Sequence, residues 1–357
     1  MKRLVAGFIA AILLGSCVSF FDDGTDIGKK DMGLFYQASG VRPAAVVMTI
    51  NGEKIRAEEY MYWMAYDCEY LSAYAGSLDW NEIVTGDMTY GDYVKDEVTN
   101  TMKTYAIIRQ MAKEGNITLT EEDMAALAAQ RQQYIDYYGG EEAYSQQIQL
   151  LGVSEAAFDE INSMYYLYTR VQEAFCNGAL RPDDDTIRDF AAEQELMTAK
   201  LLFLSTDGLS EDDIAQRRSL AQGYADKLKA ADNIDELYAQ FAGELGLEVS
   251  ENGQTFVVSE ADPALTAAVS ALQEGEVSGL IEGENGFYVA LRMPTDLANA
   301  ADRLFSQTLE SSMANAEVQY HNAYKKIDVS SFFPQLLQAR QELSASFTPE
   351  NTTPSGD

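Results

Sequence analysis

The residues of this sequence best suited to chemistry are three cysteines, Cys17, Cys68 and Cys176, and a single histidine, His321. Zinc sites and Ser-His or Cys-His nucleophiles normally require histidine, and the cysteines lack the short spacing of a metal-binding motif. Histidine-based catalysis is therefore nearly excluded by composition. We expect neither a metal site nor a cofactor.

Cys17 closes the short sequence Leu14-Gly15-Ser16-Cys17, which follows Lys2, Arg3 and a brief apolar run. A membrane span needs roughly 20 apolar residues, so the pattern favours a secretory signal, residues 1–16, that is removed. Residues 14–17 resemble the lipobox of bacterial lipoproteins, in which the cysteine receives a diacylglycerol. This resemblance implies lipidation of Cys17 and an anchor on the outer face of the bacterial cell membrane. The alternative is ordinary cleavage nearby, which would leave Cys17 a plain thiol.

The other two cysteines allow two interpretations. Cys68 and Cys176 could form a disulfide in an oxidising compartment outside the cytoplasm. Cys68 equally fits the core of a helical domain as a small apolar side chain. The sequence leaves both interpretations open.

The charge of the chain limits its partners. The formal net charge is −32, and loss of Lys2 and Arg3 with the signal makes it more negative. Such a charge repels nucleic acid and anionic lipid headgroups, which excludes tight electrostatic binding of either. Partners should be neutral, basic or apolar.

A stripe of tyrosines is the strongest candidate for a binding surface. A helix is predicted from about Ala57 to Ala75, and on one of its faces tyrosine recurs every four residues, at Tyr62, Tyr66, Tyr70 and Tyr74. Tyrosine and methionine provide adaptable apolar surface that suits loosely specified polypeptides. We expect Tyr66 and Tyr70 to pack against a C-terminal helix, and Tyr62 and Tyr74 are the candidates for client binding.

The elements that would position these residues fall into consecutive blocks. Residues 17–42 are glycine-rich, and we interpret them as the lipidated cysteine followed by a flexible tether. Residues 43–195 are nearly all helical, 196–293 form a small α+β domain, and 294–345 are again helical. A lone helix cannot bury its apolar stripe, so we expect the last block to pack on the first. The tail, residues 346–357, should be disordered.

Several of these segments are similar to those of a known family. They are Val46–Ile50 with the Asn51-Gly52 turn, Glu58-Glu59-Tyr60, Leu272–Gly279 and Gly286-Phe287-Tyr288-Val289. In order and pattern they resemble the extracytoplasmic foldases of the PrsA and SurA type. The resemblance implies an α+β fold with a mainly helical chaperone domain, built from N- and C-terminal segments, and an inserted parvulin-like domain. It also implies unfolded or nascent secreted proteins as partners, with a homodimer possible.

The parvulin-like segment departs from the family at its most important positions. Parvulins usually carry a histidine in the first strand and another in the last, and the matching residues here are Leu201 and Tyr288. The family's pocket phenylalanine falls on Leu265. The resemblance therefore implies a degenerate isomerase pocket formed by Leu201, Phe203, Leu265, Phe287 and Tyr288, with impaired catalysis. Two alternatives stay open: an active peptidyl-prolyl isomerase that uses other residues, and a scaffolding envelope lipoprotein.

Overall fold

The computed structural model describes residues 32–248 and 250–347, so Cys17, the signal segment and residues 348–357 lie outside the described chain. The described residues divide into two compact units. The first comprises the residues up to Ala174 together with those from Thr308 onwards, and the second comprises Phe175–Gln307. None of the described helices is long and apolar enough to cross a membrane.

Helices and short antiparallel sheets alternate along the chain. In order, the helices are α1 (Gly33–Ser39), α2 (Ala57–Ala75), α3 (Tyr90–Glu114), α4 (Glu121–Tyr138), α5 (Glu141–Leu151), α6 (Glu155–Asn177), α7 (Asp184–Glu193), α8 (Glu211–Lys229), α9 (Ile234–Glu244), α10 (Pro263–Ser270), α11 (Leu297–Ala314), α12 (Asn322–Lys326) and α13 (Val329–Phe347). The strands are β1 (Val46–Ile50), β2 (Glu53–Arg56), β3 (Ile83–Thr85), β4 (Met88–Thr89), β5 (Leu196–Ser205), β6 (Gln254–Val257), β7 (Ile281–Gly283), β8 (Gly286–Arg292) and β9 (Val318–Tyr320).

The first unit is mainly helical and combines both ends of the described chain. Its longest C-terminal helix, α13, packs on α1, α2, α3 and α5. Phe332, Phe333 and Leu336 supply the buried face of α13, and the ring of Phe333 meets that of Trp80 edge-on at 5.5 Å. Burial of this apolar face against neighbours provides most of the stability of such a helix.

Acidic residues begin several of these helices. Thr120 and Asp123 form a reciprocal capping box at the start of α4, and Thr89 and Asp92 form another at the start of α3. In the second unit, Asp183 accepts a hydrogen bond from the Thr186 amide at the start of α7. Each carboxylate satisfies a free helix amide and meets the positive end of the helix dipole, so capping explains these acidic runs.

Part of the predicted tether is in fact folded. Residues 33–39 form α1, with Leu34, Phe35 and Ala38 buried against α13 and α5. The tether interpretation rested on glycine spacing and missed the apolar residues between the glycines. Burial of these side chains offsets the entropy cost of ordering a short helix.

The helical block predicted for residues 294–345 is also interrupted. Helix α11 ends at Ala314, and β9 then pairs antiparallel with β1 in a sheet of order β2-β1-β9. The Asn51 amide donates to the Glu317 carbonyl at 3.0 Å, and the Glu317 amide donates to Asn51 Oδ1 at 2.9 Å. Tertiary strand pairing here overrides local helix propensity.

The second unit is a small α+β fold. Its four strands form an antiparallel sheet of order β6-β5-β8-β7, with α8 and α9 on one face and α10 on the other. The predicted fold class, a mainly helical part from both chain ends with an inserted α+β part, is confirmed.

This unit extends beyond 196–293 on both sides. The start of β5 packs in one apolar cluster with α7 and the beginning of α11, through Ile187, Phe190, Leu196, Ala300 and Ala301. These contacts draw α7 and part of α11 into the second unit. The functional domain boundaries stated from the sequence remain a prediction.

Both described cysteines are buried free thiols, Cys68 in α2 and Cys176 in α6. Burial raises the pKa of each, and nearby acidic side chains raise it further. A thiol kept protonated in this way is a poor nucleophile, so both cysteines act as small apolar side chains.

Candidate functional site

The predicted isomerase pocket lies where β5 and β8 pair in the centre of the second unit's sheet. Phe203 stands directly opposite Tyr288 in this ladder, and Leu201 stands opposite Ala290. The Phe203 and Tyr288 rings stack with their centroids 4.6 Å apart and their planes at 28°. Because side chains alternate between the faces of a strand, Leu201 and Phe203 point to the same side.

Helix α10 covers this side of the sheet and brings Leu265 to it. Leu265 is only 4% exposed, and it belongs to one apolar cluster with Leu201 and Tyr288. Leu265, the residue predicted to match the family's pocket phenylalanine, is thus a buried aliphatic side chain. The structure therefore brings together four of the five predicted pocket residues.

Phe287 is the exception. It follows the alternation of β8 and faces α8 and α9, where it packs with Leu202, Leu204 and Val289 in the main core of the unit. Its side chain is therefore on the opposite face of the sheet from Leu201 and Tyr288. We correct the predicted pocket set by removing Phe287.

Asp262 organises the edge of this site, and the sequence interpretation missed it. Its Oδ1 accepts hydrogen bonds from the Ala264 and Leu265 amides at the start of α10. Its Oδ2 accepts one from the Glu284 amide in the turn between β7 and β8, at 2.8 Å. The sequence signal for this role is the Asp262-Pro263 pair, because Asp followed by Pro is typical of the start of a helix. Asp262 therefore fixes α10 to the hairpin that carries Tyr288.

A glycine lies against both Asp262 and Tyr288. A Cβ atom on Gly283 would stand 2.4 Å from Asp262 Oδ2 and 2.5 Å from the Tyr288 ring. Both distances are well inside van der Waals contact, so a larger residue would displace one of these side chains. Burial raises the pKa of the Tyr288 phenol, and the Asp262 charge raises it further. The phenol stays protonated at neutral pH and can donate a hydrogen bond.

The second unit contains no imidazole, since the single histidine of the sequence, His321, belongs to the first unit. There the His321 Nε2 and the Thr49 Oγ1 are hydrogen-bonded at 2.8 Å, between β9 and β1. His321 thus ties two strands together. Among the described residues, no group of three or more His, Cys, Asp or Glu side chains is arranged to hold a metal ion.

The tyrosine stripe of α2 divides into a packed half and an exposed half. Tyr62 packs edge-on against Trp63 at 5.4 Å and against Phe158 of α6 at 6.0 Å. Burial raises the pKa of Tyr62 to about 12. By contrast, Tyr74 is 79% exposed, and its ring lies 4.9 Å from that of Tyr70.

These positions change the interpretation of two residues. Tyr70, for which packing was expected, is 53% exposed. Tyr62, a client-binding candidate, is only partly exposed because its ring packs against Trp63 and Phe158. The exposed aromatic surface of α2 is therefore its C-terminal end.

Arginines lie against three of the buried carboxylates elsewhere in the first unit. The Arg109 guanidinium donates to Glu59 at 2.7 Å, and that of Arg170 donates to both oxygens of Asp123 at 2.8 Å. Arg131 lies 3.5 Å from Asp159, which is nearly fully buried. Buried carboxylates are costly unless they are paired, and these pairs fix α2 to α3 and α4 to α6.

Comparison with known proteins identifies a relative of this chain by sequence. No family model matches the chain. A curated relative, the foldase protein PrsA of Caldanaerobacter subterraneus subsp. tengcongensis, is 25% identical over 299 residues, which is 81% of this chain and 82% of the relative. By sequence, the chain is PrsA-like. The resemblance to PrsA-type foldases that was predicted from segments such as those around Asn51 and Gly286 is thereby confirmed.

Solved PrsA structures are also similar to this PrsA-like chain. The foldase protein PrsA from Lactococcus lactis shares 14% identity, covers 82% of this chain and 99% of its own, and has a TM-score of 0.32. PrsA from Bacillus subtilis shares 13% identity, covers 78% of this chain and 96% of its own, and has a TM-score of 0.27.

Proposed function

We propose that this protein is a lipid-anchored, extracytoplasmic foldase that binds unfolded or newly exported polypeptides. The name of its curated relative supports a role in folding. The sequence Leu14-Gly15-Ser16-Cys17, after a short apolar run, supports export and lipidation of Cys17. Acyl chains contribute roughly 0.8 kcal/mol per buried CH₂, so a diacyl group would hold the protein at a membrane surface.

We propose further that the parvulin-like domain has lost most of its catalytic activity and retains the capacity to contact a proline ring. The observation that carries this proposal is the stack of Phe203 on Tyr288, with Leu201 two residues along β5 on the same face of the sheet. Tyr288 and Leu201 stand where parvulins usually have histidines. Apolar and aromatic surfaces bind a proline ring in its ground state.

Binding alone does not accelerate isomerisation. Catalysis has to lower a barrier of about 18–20 kcal/mol, which requires interactions stronger with the twisted imide than with the planar one. Leucine offers no polar group for that purpose, and the Asp262 carboxylate is used to cap α10. Weak peptide affinity, near millimolar or about −4 kcal/mol, without turnover is the expected behaviour.

An active isomerase is the second candidate, and the Tyr288 hydroxyl is the observation that favours it. This protonated phenol lies near Asp262 on the same side of the sheet as Leu265. A hydroxyl could donate a hydrogen bond to a twisted imide in place of the lost imidazole. Tyr288→Phe would abolish any turnover that depends on this group while leaving the Phe203 stack in place.

Suppression of aggregation tests the foldase proposal. A chemically denatured reporter enzyme is diluted into buffer with the full chain, and light scattering is followed. We expect scattering to fall, and the concentration for half-maximal suppression to rise about threefold in Tyr74→Ser. Tyr137→Ser is the matched control, because Tyr137 is also 79% exposed but lies on α4. The absence of suppression at a tenfold molar excess of wild-type protein would overturn the proposal.

A further inference from the structure

The exposed end of the α2 tyrosine stripe lies beside carboxylates that form no ion pair within the described part of the chain. Asp67 precedes Tyr70 and Tyr74 by one and two helical turns, so the three side chains share a face of α2. Tyr93 and Glu97 share a face of α3, the helix that packs on α2. We call these five residues, Asp67, Tyr70, Tyr74, Tyr93 and Glu97, the tyrosine–acid surface.

The two carboxylates of this surface are close enough to influence each other. Asp67 is half-buried, and burial followed by the charge of Glu97 raises its pKa to about 7. Burial of Tyr93, and then the charges of Glu97 and Asp67, raise the pKa of its phenol as well. The packing of the two helices agrees with this: Glu59 pairs with Arg109 and Trp63 meets Tyr105, so α2 and α3 run antiparallel. The same register brings Asp67 to within about one helical turn of Glu97.

The contrast with other buried acids of this unit is informative. Glu59, Asp123 and Asp159 each lie against an arginine, whereas no ion pair among the described residues includes Asp67 or Glu97. Lys95, the basic residue nearest to Glu97 in sequence, donates to the Ile327 carbonyl and lies over the Tyr324 ring. The carboxylates of the tyrosine–acid surface can therefore pair with a cationic group of a bound partner.

Aromatic rings next to unpaired carboxylates have a defined chemical preference. A lysine or arginine side chain can place its charged group over a tyrosine ring and pair with a carboxylate, while its aliphatic stem covers apolar surface. Strand β3, which contacts α3, carries two further exposed apolar side chains, those of Ile83 and Val84. The whole chain carries a net charge of −32, which attracts a basic segment and repels an acidic one.

We propose that the tyrosine–acid surface binds client segments in which a lysine or arginine adjoins apolar residues. This inference rests on the proposed foldase function and names the class of segment that the foldase selects. The lysine or arginine replaces the missing basic partner of Asp67 and Glu97, and the neighbouring apolar residues contact Tyr70 and Tyr74. A bound cation also favours the ionised form of Asp67, which removes part of the cost of its burial.

Peptide binding to the full chain tests this inference. Two fluorescent peptides of identical length are compared by anisotropy at low salt; both are rich in leucine and phenylalanine, and they differ only in lysine against glutamine. We expect the lysine peptide to bind at least fivefold more tightly. We expect Asp67→Asn with Glu97→Gln to abolish this preference, since it removes both charges without removing bulk. The control pair, Glu121→Gln with Glu122→Gln, removes two exposed charges from α4 and should leave the preference intact.

Each other outcome contradicts the inference in a distinguishable way. Equal binding of the two peptides overturns the inference, and so does an unchanged preference in the Asp67 and Glu97 variant. In either case, suppression of aggregation by the wild-type protein would still support the foldase proposal. Failure of both peptides to bind, together with failure to suppress aggregation, overturns both proposals. Far-UV circular dichroism of each variant verifies that the fold is retained.

Discussion

At the scale of single residues, the predicted pocket of the second unit is formed by aliphatic and aromatic side chains, with no imidazole among them. Leu201 and Tyr288 lie on the same side of the sheet as Leu265, and Phe203 completes an aromatic stack there. The positions of Leu201, Leu265 and Tyr288 could be read from the sequence because strand and helix order match the family. Asp262 and Gly283 could not, because their role depends on the approach of a distant hairpin turn to the start of α10.

Asp262→Ala should destabilise the second unit and disturb the site. It removes a helix cap, worth about 1 kcal/mol, and leaves the Glu284 amide without its partner, for a total of about 1–3 kcal/mol. Urea unfolding measures the loss, and NMR of the Tyr288 ring reports on the site. Asp183→Ala is the control, because Asp183 caps α7 alone and should leave the Tyr288 signals unchanged. Unchanged Tyr288 signals in Asp262→Ala would contradict the positioning role.

Asp67→Asn should change how stability depends on pH. Asp67 titrates near 3.8 when unfolded and at about 7 in the folded protein, so between these values only the folded state holds the proton. The free energy of unfolding of the wild type therefore falls as the pH rises from about 4 to about 7. The variant should lose about 1–2 kcal/mol less over this interval. Urea titrations at pH 5 and pH 8 measure the difference, and identical pH profiles would refute the assignment.

At the scale of elements, local pattern predicted the helical blocks and the small α+β block between them, whereas contacts distant in sequence decided the exceptions. Helix α1 is too short to be stable alone, and it packs mainly on α13, nearly three hundred residues later, with a smaller contact to α5. Strand β9 interrupts a good helical pattern because β1 offers a partner. Neither partner is visible from a local window of sequence.

Phe35→Ala should show that α1 belongs to the core of the first unit. The Phe35 ring is fully buried, meets Phe332 at 5.9 Å and fills the space beside Gly152. Removal of a buried phenylalanine costs about 3–5 kcal/mol. Thermal and urea unfolding measure this loss, with Gln37→Ala on the exposed side of the same helix as the control. A loss of less than 1 kcal/mol in the free energy of unfolding would mean that α1 is not part of the core of the first unit.

At the scale of the whole molecule, the proposed function combines an anchor, a mainly helical unit for client binding and an α+β unit for proline contact. The anchor lies outside the described residues and depends on the lipobox-like sequence at 14–17. Expression of Cys17→Ala should leave the protein without a diacylglycerol and release it from the membrane fraction. Intact-mass analysis of the wild type gives the direct reading, and a mass without the lipid would exclude the anchor.

The central claim is that client binding has been retained while isomerisation has been lost. NMR exchange spectroscopy on a short proline-containing peptide, with a catalytic amount of the full chain, tests this claim most directly. Uncatalysed exchange takes tens of seconds or more, which is too slow to give exchange cross-peaks. We predict no exchange cross-peaks beyond those of the peptide without protein. Small chemical-shift changes of the proline signals at millimolar peptide should report weak binding. Strong exchange cross-peaks that depend on the protein would contradict the claim and show that other groups, with Tyr288 as the first candidate, perform the catalysis.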